Sequence, residues 1–199
     1  VKWADIHSEL TEQTAPTAVL MTTALAKDFL RSGESTEGTV IDNLVDTARL
    51  QIEQDTGRAM VNTVYDLWVD SFPSERAIVL PRWPLVTVAS IKSYDKDDVE
   101  TTMASGDYLV DTGQGRLALN SDASWPSDLR VFSGGVIRFT AGYGATAATV
   151  PRGLMHAAEL LLTHWFDQGR DPVVVGTSVQ ETVFGYGRSI FPYRREFLG

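Results

Sequence analysis

The sequence predicts an α+β fold: a small helical bundle with an inserted antiparallel β-sheet domain and an extended C-terminal tail. Three observations predict it. Apolar residues recur at helical spacing in 24–31, 39–56 and 150–169. Between the second and third of these stretches the period changes to two, as in strands with one buried face. Beyond Gly169 the pattern turns irregular, aromatic and punctuated by glycine. The boundaries that follow are an N-terminal arm at 1–21, a helical domain at 22–60 and 151–169, an inserted β domain at 61–150 and a C-terminal tail at 170–199.

Taken in order, residues 1–17 mix Trp3, Ile6 and Leu10 with polar residues and read as an arm or short helix. Thr22 or Thr23 caps a helix over 24–31 with Leu25, Phe29 and Ala26 facing inward. Thr39 caps a second helix, in which Ile41, Leu44, Val45, Ala48 and Ile52 keep the spacing, with Leu50 on the flank, until Gly57 stops it. Alternation from Val61 to Val69 marks the first strand of a sheet, and 77–80, 86–94, 108–111, 116–120 and 136–141 supply further strands. Asp95-Lys96-Asp97-Asp98 and Thr112-Gly113-Gln114-Gly115 fit tight turns between them. In the third helix Leu154, Ala158, Leu161, Leu162 and Trp165 form one stripe, with Pro151 suited to its first turn and Gly169 to its end. The tail carries Val173, Val174 and Val175, the triplet Gly185-Tyr186-Gly187, and a close rich in aromatic and arginine residues. It is too aromatic for a disordered segment and too short to bury itself, so a partner surface is its natural place.

Composition bounds the function. Across 199 residues, 43% hydrophobic content is enough for one good core with or without a satellite sheet. Seventeen basic against 26 acidic residues leave a net charge of −9, which argues against a surface that grips nucleic-acid phosphates. The absence of cysteine removes disulfides, thiolate metal sites and thiol nucleophiles together. No apolar run is long enough to span a bilayer and the first residues lack signal-peptide order, so a soluble chain is expected.

Motifs for catalysis do not stand out. His156 and His164 are eight residues apart on one helix, about 12 Å along its axis, too far to share a metal, and His7 lies in the arm. Asp95, Asp97 and Asp98 lack the glycine and distal glutamate of a calcium loop, and a solvated hairpin turn explains them better. Gly142-Tyr143-Gly144 and Gly185-Tyr186-Gly187 lack the third glycine and the strand-to-helix setting of a phosphate loop. No nucleophile elbow, Walker sequence or zinc-protease motif is present. No catalytic residue, cofactor or metal site is therefore assigned from these patterns. Arg194-Arg195, set among aromatics, is the one concentrated basic feature that suits partner docking.

Several of these pieces, in this order and spacing, resemble the head-to-tail connector, or adaptor, proteins of long-tailed bacteriophages and gene transfer agents. They are the short helix at 24–31, Asp55-Thr56-Gly57-Arg58, Val64-Tyr65-Asp66-Leu67, Leu80-Pro81-Arg82-Trp83-Pro84-Leu85 and Val88-Ala89-Ser90-Ile91. Further on come Asp107-Tyr108-Leu109-Val110-Asp111, the run from Arg138 to Gly144, the helix ending His164-Trp165-Phe166, and Pro192-Tyr193-Arg194-Arg195. The resemblance covers about 22–198 and leaves out the arm.

What the resemblance implies is a structural virion protein and not an enzyme. Such proteins form a ring, usually of twelve subunits, beneath the portal protein and continue the DNA channel, so that DNA is present only in transit. The implied partners are further copies of the chain, the portal, and a downstream neck, stopper or tail protein, with no membrane. The implied location is the head–tail neck of the virion, after assembly in the host cytoplasm. Carried over to this chain, the helical domain supplies subunit contacts and the tail reaches the portal through Phe191, Tyr193, Arg194, Arg195 and Phe197. An acidic surface suits a conduit that lets DNA slide. A second reading from the residues is a ligand-binding β module on a helical base, with Trp83, Trp125 or Tyr143 exposed as stacking faces for carbohydrate. A third, a hydrolase, would require convergent titrating groups.

Overall fold

The computed structural model describes residues 2–14, 16, 18–31, 38–167 and 184–194. The chain divides into two compact units, one of Val1–Thr17 with Asn62–Gly142 and one of Ala18–Val61 with Tyr143–Gly199. Among the described residues, no helix is long and apolar enough to cross a membrane.

The second unit is helical. Helix α1, Thr23–Leu30, starts where the Thr22 hydroxyl accepts a hydrogen bond from the Leu25 amide, one of the orphan donors of the first turn. Helix α2, Gly38–Thr56, ends at Gly57, whose φ of 68° is the left-handed value that glycine adopts without strain. Helix α3 spans Arg152–Asp167, so its expected stop at Gly169 lies outside the described residues. Ile41, Val45, Ala48 and Ile52 of α2 pack with Leu154, Ala157, Ala158, Leu161 and Leu162 of α3, and Leu20, Met21 and Val150 join them. Residues 18–21 and 143–150 therefore belong with the helices and not with an arm or the sheet.

On α1 only part of the expected face is buried. Ala26 is inside, whereas Leu25 and Phe29 are exposed. A residue without side-chain bulk lets the helix backbone approach its neighbours, and the larger side chains then turn outward.

Two of the charged residues buried in this unit lie on α2. Arg49 and Glu53 are both buried, one turn apart on α2, and Arg49 Nη1 donates to Glu53 Oε2 at 2.9 Å. Glu53 Oε1 accepts the Met60 amide at 2.8 Å and so also fixes the chain leaving the helix.

The first unit holds a five-stranded and a three-stranded antiparallel sheet. Residues 8–14, expected within an arm, form strand β1, Ser8–Thr14, along the edge of the larger sheet beside β2, Thr63–Val69. The inner strands are β8, Gly135–Ala141, and β4, Leu85–Tyr94, and the short β5, Glu100–Thr102, closes the order β1-β2-β8-β4-β5. Pairing Thr63 with Ala141 and Val69 with Gly135 makes the chain enter β2 and leave β8 at one end of the sheet. The smaller sheet orders β3, Ala77–Val79, β7, Arg116–Leu119, and β6, Tyr108–Asp111. Tyr65, Leu67, Ile91, Ile137 and Phe139 fill one face of the larger sheet with buried side chains, as the two-residue period requires. The architecture is α+β, with the strands β2–β8 entered in sequence between α2 and α3.

Candidate functional site

The segment expected to anchor a partner begins with a short helix, α4, Phe184–Ile190, followed by one tight turn at Phe191–Tyr193. Two glycines make this a poor helix by propensity, since each costs about 1 kcal/mol relative to alanine. Burial overrides that cost. Tyr186 and Ile190, four residues apart, are 2% and 0% exposed and belong to the helical core. The Tyr186 hydroxyl donates to Asp55 Oδ2 at 2.6 Å, and Gln51 Nε2 donates to the other carboxylate oxygen at 3.1 Å. Burial and then the neighbouring carboxylate push the Tyr186 hydroxyl well above the ordinary tyrosine range.

Arg58, just beyond α2, closes the arrangement. Its Nε donates to the Tyr193 carbonyl at 2.5 Å and its Nη1 to the Tyr143 hydroxyl at 2.7 Å. The guanidinium carbon stands 5.9 Å from the Tyr143 ring centre and 5.7 Å from that of Tyr193, within cation–π range. Burial raises the Tyr143 hydroxyl, with Arg58 working against it. Gly153 provides the room for Tyr193: a Cβ there would lie 2.9 Å from the tyrosine ring.

This clamp sorts the expected anchor residues. Tyr193 is half-buried and spends its carbonyl and ring on Arg58. Phe191 is 70% exposed, and Arg194 is exposed beside it, with its amide donating to the Phe191 carbonyl. Arg195 and Phe197 lie outside the described residues. Of the residues that hold the segment in place, Asp55, Arg58 and Tyr186 were not singled out as a site by their sequence pattern, and Tyr143 was a candidate only as a stacking face. The spacing of Tyr186 and Ile190 was the available signal, masked by the flanking glycines.

A second polar cluster lies on a face of the larger sheet, around a cavity of about 290 Å³ lined by Asp66, Trp68, Lys92, Tyr94, Glu100 and Arg138 among others. Asp66 and Arg138 face each other across β2 and β8 and form a bidentate pair, both contacts at 2.7 Å, with Asp66 only 1% exposed. The Lys92 ammonium and the Tyr94 hydroxyl both donate to Glu100 at 2.7 Å and hold its carboxyl below the usual range. Opposite charges meet at hydrogen-bond distance here, so the cluster works as a cross-strand brace.

The remaining candidates fall elsewhere. Asp95 accepts the Asp97 and Val99 amides at 2.8 and 2.9 Å and so builds its own turn between β4 and β5. His156 is exposed beside Glu159 at 3.4 Å, and among the described residues no three metal-ligating side chains converge. Trp125, which the carbohydrate-binding reading requires to be exposed, is a buried loop anchor. Its ring stacks on Phe72 at 5.3 Å and its Nε1 donates to the Glu75 carbonyl. Trp83 is half-buried, and Tyr143, part of the other unit, is occupied by Arg58. These three rings are therefore no exposed stacking surface.

Comparison with known proteins gives a consistent result for the whole chain. No protein-family profile matches it, and no curated protein matches it by sequence. Among solved structures it is similar to a chain in the neck of an empty gene transfer agent particle computed with C6 symmetry. There the identity is 26% and the TM-score 0.77, with 96% of this chain and 98% of that one covered. A chain from the neck of the native particle computed with C12 symmetry is similar at 25% identity, TM-score 0.73 and the same coverage. A chain of the virion of a native gene transfer agent shares the fold at 24% identity and TM-score 0.75.

Proposed function

We propose that this chain is a structural component of a virion neck, a head–tail adaptor whose copies close into a ring of twelve beneath the portal protein and extend its DNA channel. One observation carries the reading: the likeness to neck chains spans 96% of this chain and both units, so it is not confined to a common supersecondary motif. The C12 symmetry of one of those necks supports twelve copies, and closed rings follow when a head-to-tail contact repeats by a rotation that closes. The charge of −9 fits a conduit that DNA crosses without adhering.

In this reading the C-terminal segment meets the portal. Phe191 and Arg194 supply an exposed aromatic and cationic pair, the residue types favoured at contact centres, while Tyr193 and Arg58 keep them in place. Arg195 and Phe197 continue the same contact. A ring on the far side of the portal then offers a platform for the next neck, stopper or tail protein. Particles made without this chain test the role: we expect heads that fail to acquire tails, and normal numbers of tailed particles would contradict it.

A further inference from the structure

The two most exposed large apolar side chains among the described residues are neighbours, Val131 at 78% and Phe132 at 76%. They sit on a loop that is braced from several sides. Arg130 Nε donates to the Phe132 carbonyl at 3.0 Å, and both Nε and Nη2 reach the Ser133 carbonyl, at 3.2 and 3.0 Å. Arg130 Nη1 pairs with Asp98 at 3.0 Å, and the guanidinium lies 4.6 Å from the Tyr94 ring centre. The Ser133 amide donates to Asp70 Oδ1 at 2.8 Å, while the Arg130 amide and the Gly134 carbonyl bond to the Tyr94 backbone.

The backbone there is also held away from its relaxed state. Ser133 has φ 50°, a left-handed value that is strained for a residue other than glycine. Gly134 leaves no room for a side chain, since a Cβ would fall 2.8 Å from the Arg130 carbonyl oxygen. The loop therefore combines strain, several hydrogen bonds and an ion pair with two apolar side chains that it does not bury. Preorganisation of this kind lowers the ordering cost of binding.

We propose that Val131 and Phe132 form a preformed plug for a protein partner that offers an apolar pocket rimmed by basic side chains. The inference rests on the neck reading and assigns the plug to the protein that docks on the ring after the portal. Two features select that partner over a second copy of the chain. Asp95, Asp97 and Asp98 on the turn that Arg130 grips, with exposed Asp128 before it, outnumber Lys96 and Arg130 four to two, so the plug's border is acidic on balance even with Asp98 paired to Arg130. Another copy, with net charge −9, is a poor electrostatic match for that border. The loop also stands at the end of the larger sheet opposite to the one where the chain enters β2 and leaves β8, so those two chain connections leave it clear.

The test uses full-length chain, the portal protein and the next neck protein encoded with them. Val131→Ser combined with Phe132→Ser should leave the melting temperature, ring mass and portal binding unchanged. It should weaken binding of the next neck protein by about 30-fold or more, the loss typical of a buried aromatic anchor. Arg130→Met, which keeps the plug but removes its brace, should weaken the same binding, and added salt should weaken it in the unaltered protein. Equal affinity of the double variant overturns the proposal. Loss of ring mass in that variant overturns it by assigning the plug to the subunit contact, and binding of the unaltered chain to phosphatidylcholine vesicles, lost in the variant, overturns it in favour of lipid. If the unaltered chain forms no complex with portal, the adaptor reading fails and the plug's assignment falls with it; a portal complex with unaffected downstream binding defeats the plug alone.

Discussion

Arg58 and Tyr193 are 135 positions apart and are joined by a hydrogen bond from the Arg58 Nε to the Tyr193 carbonyl, with the guanidinium over the tyrosine ring. This bond makes the end of the described chain a docked part of the helical unit. Arg58→Ala should cost about 1–3 kcal/mol, the range for a charge-assisted hydrogen bond whose acceptor is left behind. Amide hydrogen exchange should rise at 185–194 more than in α2, and unchanged protection there would contradict the clamp.

Tyr186 gives the same segment a pH dependence. Its hydroxyl ionises above the ordinary value of 10.0 in the folded protein, so the folded state holds its proton where the unfolded chain has released it. The associated stability is whole below pH 10.0 and declines as pH rises above that value toward the raised folded one. Tyr186→Phe should flatten this alkaline decline in a melting-temperature series. An equally steep decline in the variant would show that another group is responsible.

Glu53 should be intolerant of truncation. Removing it by Glu53→Ala takes from buried Arg49 its buried carboxylate, leaving the exposed Asp46 at 3.0 Å, and takes from the Met60 amide its acceptor, a loss of about 3 kcal/mol by urea unfolding. Replacing Arg49 by leucine and Glu53 by methionine together should recover the part due to the stranded guanidinium but not the part due to the Met60 amide, because burying an ion pair yields little net stability whereas the amide still lacks its acceptor. A double replacement as unstable as Glu53→Ala would contradict that account.

These core features differ in how far the chain itself announces them. The stripes of α2 and α3 are legible because a helix buried on one side must repeat its apolar residues, and the inner strands are legible by the two-residue period. Strand β1 is not, because Ser-Glu-Leu-Thr-Glu-Gln-Thr has one apolar residue and an edge strand needs little more to pair. Helix α4 was obscured by Gly185 and Gly187, since its formation depends on the pocket that receives Tyr186 and Ile190. Of the three α1 residues expected inward, only Ala26 is buried, because Leu25 and Phe29 carry the hydrophobic signal but packing selects the small side chain. Of the anticipated anchor residues, Phe191 and Arg194 point to solvent while Tyr193 turns inward, a division set by Arg58 that no local pattern encodes.

That division predicts separable effects. Phe191→Ala with Arg194→Ala should weaken portal binding by about tenfold or more with little change in melting temperature, as both side chains are exposed. Ile190→Ala should instead cost about 2–5 kcal/mol of stability, because it opens a cavity in the helical core. Truncation after Arg188 would combine the two effects, so point substitutions measured by titration against portal distinguish them. Portal affinity unaffected by the exposed pair would move the contact elsewhere.

The most direct test of the adaptor account is the native mass of the unaltered chain mixed with portal protein from the same genome. The account predicts a complex whose added mass equals about twelve chains of 21.9 kDa, in line with the C12 neck it resembles. Portal rings that keep their own mass in the presence of excess chain would contradict it.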